Sequence, residues 1–516
     1  MLKGILTVGG WTMGSRVLGF LRDMLMAAMV GAGPLGDAFV VANRLPNMFR
    51  TLFGEGAFNA AFVPEFSAIL ATRGQEQARR FAEQTFGVMA FWLIGLTVLA
   101  ELLMPQIMAL LVFGHTDDAG QMALVVELGR ITFPYMPLIC LTALLSGVLN
   151  GLDRFAAAAA APIIYNLTSM AFMVGLVGLV PTTGHALAWG VSASGVFQLA
   201  LVAWATWHAG MRLHLVRPKL SPEVRVLFRR MAPGLIAAGV TQINLSLDVV
   251  IASFLPPGTQ SALYYANRLD QLPLAIIGVA IGTAMLPSLS RQVIAGQDDE
   301  ARSTLNRALE YALVLTLPAA LALGTVPGPI MSVLFERGAF DHHAAVISGQ
   351  TLAAYAVGLP AFVLLKVLVP ALFARGDTST PMRWGLASVA LNIVLNLLFM
   401  RPLQHMGPAL AASVAAWFNA AALAVVLRRR GFFAPDTQLR RHVPRMALAS
   451  GVMVAALVAL EVSVFEPLAS LGPLRWVGLA VLVGGGGLAY GLAGEVIGAF
   501  HIRDLLRSLR RRPRAA

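Results

Sequence analysis

Apolar residues arrive in runs of about 20, the length at which a helix crosses about 30 Å of hydrocarbon. Short polar connections divide these runs from one end of the chain to the other. Phe86 to Leu103, Ile163 to Val180, Val191 to Trp207, Ala308 to Leu323, Leu448 to Val464 and Val477 to Phe500 are the clearest. A barrel strand would alternate polar and apolar residues over about ten positions, so the pattern predicts helices. Counting the more polar segments between the clear runs gives about fourteen spans. The fold class expected is therefore an all-α polytopic membrane protein. Composition points the same way, because only 12% of the residues are charged and 57% are hydrophobic, against roughly 25% charged in soluble domains.

Charge distribution orients the chain. Lys and Arg gather in alternate connections: Arg73, Arg79 and Arg80, then Arg212 to Arg230, then Arg291, Arg302 and Arg307, then Arg428 to Arg430. The connections between them, "VGAGPLGDA", "FGHTDDAG", "PTTGH" and "LPPGTQS", are nearly free of positive charge. The positive-inside rule then predicts cytoplasmic N- and C-termini. Basic loops facing anionic lipid account for the net charge of +12, so no nucleic-acid partner is expected. The first segment is interrupted by Arg16, Arg22 and Asp23 and reads as a span rather than a cleaved signal peptide. The lone Cys140 excludes an internal disulfide.

The chain repeats itself. An offset of 224 residues lays "GAGPLGDAFVVANRL" (31–45) over "LPPGTQSALYYANRL" (255–269), so that Asp37 falls on Ser261 and Arg44 on Arg268. The expected organisation is an N-terminal lobe at 1–215, a C-terminal lobe at 221–430, two further helices at 440–500 and a basic tail at 501–516. With the linker and both termini on one side, the lobes are parallel repeats, a transporter architecture in which substrate is handled where the repeats meet.

Polar residues inside these helices mark the candidate site. An Arg at the centre of a span costs about 2.5 to 3.5 kcal/mol on the insertion scale. At about 100° per residue, Thr12, Ser15, Arg16, Gly19, Arg22 and Asp23 share one arc of roughly 120°. Asp37, Asn43, Arg44, Asn47 and Arg50 share a second, on a helix that Pro46 is expected to kink. Ser261, Asn267, Arg268 and Gln271 repeat the stripe. Taken singly, each Arg has a plain reading as half of an ion pair with Asp23, Asp37, Glu55 or Asp270. Taken together they outnumber the acids and call for an anion, and guanidinium suits bidentate contact with phosphate. A cationic cavity for a phosphate or pyrophosphate is expected. Asp248 either binds a coupling cation or proton or pairs with a polar neighbour, and the sequence leaves both open.

No chemistry for bond breaking can be assembled. His342 and His343 lack zinc-protease spacing, and "VGGGG" (483–487) lacks the Lys of a phosphate loop and reads as helix packing. No metal site, cofactor or catalytic residue is expected.

The stretches "SRVLGFLRDMLMAAMVGAGPLGDAFVVANRLPNMFRTLFGEGAFNAAFVPEF" (15–66), "YYANRLDQLPLAIIGVAIGTAMLPSLSR" (264–291) and "ARGDTSTP" (374–381) resemble the MurJ (MviN) lipid II flippases of the multidrug/oligosaccharidyl-lipid/polysaccharide exporter superfamily. The resemblance runs over the whole chain. It implies two six-helix lobes around a central cavity and a final pair of helices lining a groove for the lipid tail. It also implies transport of the undecaprenyl-pyrophosphate-linked peptidoglycan precursor, with lipid II and the cell-wall synthesis machinery as partners. By position, the family's cavity arginines match Arg16, Arg22, Arg50 and Arg268, its acid matches Asp37 and its serines match Ser15 and Ser261. Arg44 occupies a basic position, and Asn47 shares its stripe. Asp23, Glu55, Asp248 and Asp377 are expected to serve gating or coupling. The chain departs from the family pattern at Asn267, acidic in some relatives, and at Gln271, in the place of a glutamate. Apolar Phe373 and Ile393 stand near the place of a sodium site, so no sodium is expected. Membrane potential is the expected drive, with the right sign for an anion carried outward. The alternatives are a flippase for another polyprenyl-pyrophosphate-linked glycan, a membrane-embedded transferase and a scaffold of wall synthesis.

Overall fold

The computed structural model describes residues 2–54, 57–115, 118–470 and 472–500. The helices are α1 (Leu2–Val30), α2 (Pro34–Ala42), α3 (Arg44–Gly54), α4 (Ala57–Leu102), α5 (Met104–Leu111), α6 (Ala119–Thr132), α7 (Tyr135–Gly151), α8 (Ala156–Gly175), α9 (Thr183–His208) and α10 (Pro222–Ala252). They continue with α11 (Thr259–Ile294), α12 (Asp298–Thr325), α13 (Pro327–Phe335), α14 (His342–Phe373), α15 (Ser379–Leu403), α16 (Met406–Arg429), α17 (Thr437–Leu460), α18 (Glu466–Ala469) and α19 (Arg475–Ile497). Among the described residues there is no strand, only an isolated bridge between Arg337 and Phe340. Asp118, Thr182, Ser221 and Asp436 each cap the helix that follows by accepting a backbone amide bond, as short oxygen-bearing side chains do at N-termini.

Ten helical stretches among the described residues are long and apolar enough to cross a bilayer. The protein is a multi-pass, all-helical membrane protein. Helices α1, α2–α3, α10 and α11 carry Ser15 to Asp23, Asp37 to Arg50, Asp248 and Ser261 to Gln271. The repeat is visible in the element order. At an offset of 224 residues α5 falls on α13, the α6–α7 pair on α14, α8 on α15 and α9 on α16.

Breaks in the helices have local causes. Pro46 has no N–H for the carbonyl of Ala42, and the helix expected to kink at Pro46 divides earlier, at Asn43. The Thr132 hydroxyl lies 3.3 Å from the Ala42 carbonyl left over. In α4, Gly74 adopts φ 79° and ψ 176°, a left-handed conformation that glycine takes without penalty, and the rod is two helices in sequence.

By packing, the chain forms two compact units, residues 1–261 with 337–341, and residues 262–336 with 342–516. Helix α10 joins the first unit because it packs on α3, α4 and α5. The packing boundary therefore lies beyond the basic linker at which the sequence repeat begins again. In the first unit, Phe58, Phe62 and Phe66 recur every four residues on one face of α4, and their rings stack at 5.2 and 5.7 Å. Phe81 extends the stack at 5.5 Å. Gly147 and Gly151 of α7 face this ladder, where a Cβ would come within 2.9 Å of Phe62 and 2.5 Å of Phe66. In the second unit α12, α14 and α16 share a core of Leu305, Leu309, Val363, Val367, Ala416 and Leu423. Ser413 and Trp417 of α16 donate to the Ala354 and Val357 carbonyls of α14, each at 2.8 Å. Small residues and interhelical hydrogen bonds drive helix association where lipid tails remove the hydrophobic gradient.

Candidate functional site

In the first unit the α1 stripe packs against α8. Asp23 is fully buried, and Arg22 reaches its Oδ1 from both Nη2 (2.6 Å) and Nε (3.2 Å). The same guanidinium lies 5.0 Å from the centroid of the Tyr165 ring, close enough for cation–π attraction. Tyr165 in turn packs on Tyr135 of α7 at 5.6 Å. Ser15 contributes its carbonyl to this junction, accepting from Asn166 Nδ2 at 3.1 Å. Arg16 lies on an exposed part of α1. The plain reading therefore holds for Arg22, which is ion-paired and stacked, whereas Arg16 presents its charge outward.

Helix α3 carries the second stripe. Arg50 Nε donates to Asn47 Oδ1 at 2.9 Å, the contact that residues three apart on one helix make. Arg44 begins α3, one residue past the break at Asn43, and is partly buried together with Asn47 and Arg50. Tyr135 stands within electrostatic reach of both Arg22 and Arg50. Thus α1, α3, α7 and α8 bring two of the predicted arginines around one tyrosine pair.

Asp37 is placed differently from the arginines. It is 8% exposed, and both carboxylate oxygens are engaged with the start of α11. Oδ1 accepts from the amide and the hydroxyl of Ser261, each at 2.7 Å, and Oδ2 accepts from the Gly258 amide at 2.6 Å. This carboxylate caps the N-terminal turn of a helix 221 residues away in sequence, where negative charge meets the positive end of the helix dipole. Gly258 holds φ +93°, and a Cβ on it would lie 2.9 Å from the Ala32 carbonyl oxygen. A Cβ on Gly36 would lie 2.6 Å from Ser261 Oγ. Asp248, on α10, is partly buried. Glu55 lies outside the described residues.

In the second unit Arg268 is partly buried on α11, and Asp270 beside it is 2% exposed. The two departures from the family pattern meet each other, with Gln271 Nε2 donating to Asn267 Oδ1 at 2.5 Å across one helical turn. Asp377 sits in the connection before α15. Its Oδ1 accepts from the Thr380 amide at 2.9 Å and the Ser379 hydroxyl at 3.0 Å, and its Oδ2 accepts from Arg430 Nη1 at 2.5 Å. The Thr380 bonds first, and then the Arg430 guanidinium, hold this carboxyl well below the usual carboxylate range.

The second unit also contains an apolar groove of about 270 Å³ between α12, α13, α17 and α19, lined among others by Val314, Pro318, Leu457, Leu482, Gly487 and Tyr490. Tyr490 OH donates to the Val314 carbonyl at 2.8 Å. The glycine run behaves as packing. A Cβ on Gly485 or Gly486 would meet Leu460 at 2.5 Å or Leu457 at 2.7 Å, whereas Gly487 opens onto the groove. Among the described residues no three His, Cys, Asp or Glu side chains converge as a metal site would.

Sequence reasoning missed Tyr165, Tyr135 and Asn166. Their signal was a Tyr-Asn pair within an apolar span.

The comparisons with known proteins agree with this architecture. Residues 26–472 match the family model described as Lipid II flippase MurJ. A relative from Rhizobium meliloti, "Probable lipid II flippase MurJ", is 42% identical over 520 residues, covering 99% of this chain and 96% of the relative. "Lipid II flippase MurJ" of Burkholderia cenocepacia is 33% identical, over 88% of this chain and 89% of its own length. In fold, the chain is similar to a solved lipid II flippase MurJ in an inward closed conformation, with a TM-score of 0.79 at 24% identity, covering 97% of this chain and all of the other. An inward-facing multidrug resistance transporter of the MATE family matches with a TM-score of 0.65 over 80% of this chain and 94% of its own. With the family model spanning most of its length and relatives at this identity, the chain belongs to the MurJ lipid II flippase family.

Proposed function

We infer that this protein is a lipid II flippase, moving the undecaprenyl-pyrophosphate-linked peptidoglycan precursor from the cytoplasmic to the periplasmic leaflet of the bacterial inner membrane. The observation that carries the reading is the arginine-bearing polar face of α1, with Arg22 fixed by Asp23 and Tyr165 and Arg16 exposed on the same helix, in a chain of this family. A guanidinium held by a buried acid and a ring is pre-oriented, so little side-chain entropy remains to be lost when a pyrophosphate arrives.

Arg16, Arg22, Arg50 and Arg268 receive the headgroup, and Arg44, Asn47, Ser15 and Ser261 support it. The apolar groove beside α17 and α19 takes the polyprenyl tail, supported by its lining of Val, Leu and Gly and by glycines that leave it open. Both termini lie on the cytoplasmic side, a reading supported by the basic connections. Each negative charge moved outward across an inside-negative membrane releases about 2.3 kcal/mol per 100 mV, and the potential drives the cycle. Asp37 belongs to the same substrate-binding set and holds Gly258 and Ser261 at the start of α11. Asp23, Glu55, Asp248 and Asp377 tune the cycle, and the wall-synthesis enzymes consume the product.

The test is the pool of lipid II open to an externally added, headgroup-cleaving enzyme in cells depleted of this protein. A fall in the cleavable pool while total lipid II rises is expected. An unchanged cleavable fraction in cells with no second flippase would move the substrate to another polyprenyl-pyrophosphate-linked glycan.

A further inference from the structure

A recess of about 670 Å³ lies on the surface of the first unit, between α6 and the start of α9, and is lined by Ala123, Glu127, Arg130, Pro181, His185 and Trp189 among others. Its volume is that of a small-ligand pocket. It plays no part in the arginine site or the tail groove.

Two helix lengths fix its depth in the bilayer. Arg154, just beyond α7, reaches the carbonyl of His208 at the end of α9 at 3.5 Å, so these two helices share a level at that end. Counting back about 20 residues from there, the hydrocarbon span of a helix, ends at Ile131 along the continuous α6–α7 run and near Trp189 along α9. The two counts are independent, and they meet in the same recess. Beneath it the helices are tied by a hydrogen bond from Ser192 to the Ile131 carbonyl. Arg130, Glu127 and His185 therefore sit at the headgroup layer, with Trp189 half-exposed at the level where aromatic belts form.

The recess carries both signs of charge. Glu127 and Arg130 are exposed on one face of α6, one turn apart, about 5 to 6 Å between Cβ atoms. Neither forms an ion pair with the other, nor does Arg130 form one elsewhere among the described residues. His185 is 3% exposed, and its Nδ1 is engaged with Thr182 Oγ1 at 2.7 Å. Its Nε2 points to Glu127 at 3.3 Å, in a geometry that makes no hydrogen bond and leaves the buried nitrogen without a partner. A second carboxylate, Glu101 of α4, lies within reach of the Arg130 charge.

We propose that this recess binds the headgroup of an ethanolamine phospholipid, with its phosphate on Arg130 and its ammonium on Glu127 beside the Trp189 face. Phosphate and ammonium in such a headgroup are two carbons apart, a spacing that one helical turn between a guanidinium and a carboxylate can span. The indole adds cation–π attraction for the ammonium, and the phosphate is a bidentate partner for Arg130. A purely anionic lipid would satisfy Arg130 and leave Glu127 facing like charge.

The full-length protein, reconstituted in vesicles of equal ethanolamine and glycerol phospholipid and then stripped of loose lipid in detergent, is weighed intact by native mass spectrometry. Retained ethanolamine lipid is expected in several-fold excess over its share, with Arg130→Gln abolishing the excess and Glu127→Gln shifting the retained lipid toward the glycerol form. Retained lipid that mirrors the vesicle mixture in the unmodified protein would overturn the proposal, as would an ethanolamine excess untouched by either substitution. Neither result bears on lipid II transport, which is read separately.

Discussion

Ser261 donates twice to one oxygen of Asp37, from its amide and from its hydroxyl, at 2.7 Å each. These two residues are also the pair that the 224-residue repeat makes equivalent. Equivalent positions of the repeat serve as acceptor and donor. Two aspartates here would set carboxylates against each other, and two serines would leave the α11 N-terminus without its anion. The repeat is therefore asymmetric at this position for an electrostatic reason.

Asp37→Asn places an amide N–H₂ against backbone donors and removes hydrogen bonds to a charge, at a cost of about 1.5 to 3 kcal/mol each. Ser261→Ala removes one hydroxyl bond, about 1 kcal/mol, and keeps the amide bond. Thermal unfolding in detergent should show a clearly larger fall in midpoint for Asp37→Asn. Equal falls would contradict the cap.

Removing Arg22 takes from the buried Asp23 the guanidinium that contacts its Oδ1, a loss of up to about 3 to 5 kcal/mol. Arg22→Ala is expected to lower the amount of protein in the membrane. Adding Asp23→Asn should restore the amount, and transport should stay absent because the guanidinium proposed to receive the headgroup is still missing. Immunoblots of membranes, run beside the lipid II cleavage assay, separate the two effects, and restored transport in the double variant would remove Arg22 from the substrate site.

The glycine run allows a test of the tail groove that spares the fold. A Cβ on Gly484 or Gly487 meets nothing within 4 Å, but Gly487 lines the groove. Gly487→Leu should fill the groove and depress transport, while Gly484→Leu should leave it near normal. Gly486→Leu drives side-chain atoms into Leu457 and is expected to cost about 1 to 3 kcal/mol in stability. Equal transport in the Gly484 and Gly487 variants would exclude the groove as the tail path.

Asp377 ionises more readily folded than unfolded, through Thr380 and then Arg430. Its contribution to stability is therefore complete above the ordinary value of 3.8 and is lost as the pH falls below it toward the depressed one. Asp377→Asn should lower stability at neutral pH and flatten the acid limb of the stability curve below about pH 4. An acid limb that keeps its full slope in this variant would assign it to other carboxylates.

The features legible in the sequence were those carried by one helix at a time. Periodicity placed Arg16, Arg22 and Asp23 on one face, and Asn47 and Arg50 on another, because helical pitch alone decides this. The packing expected of the glycine run is seen at Gly485 and Gly486, whereas Gly484 and Gly487 meet no neighbour. Features that needed two distant segments were not legible. Nothing local to Asp37 announces that it caps a helix beginning at Thr259, and nothing in α1 announces the Tyr165 ring. Pro46 signalled a break, but its position at Asn43 follows from which carbonyl the proline leaves unpaired. Asn267 and Gln271 registered as two missing acids, yet their mutual hydrogen bond follows from their spacing of four residues.

That amide pair removes two titratable groups from its helix face. Carboxylates one turn apart would share a proton and change their joint charge with acidity. Asn267 and Gln271 have no proton to exchange at any physiological pH, so the field they impose on Arg268 is the same on the acidic side of the membrane as on the neutral one. A proton gradient has no purchase on these two amides, and the titratable neighbour at this turn of α11 is the buried Asp270. Any acid dependence of transport must enter through another residue.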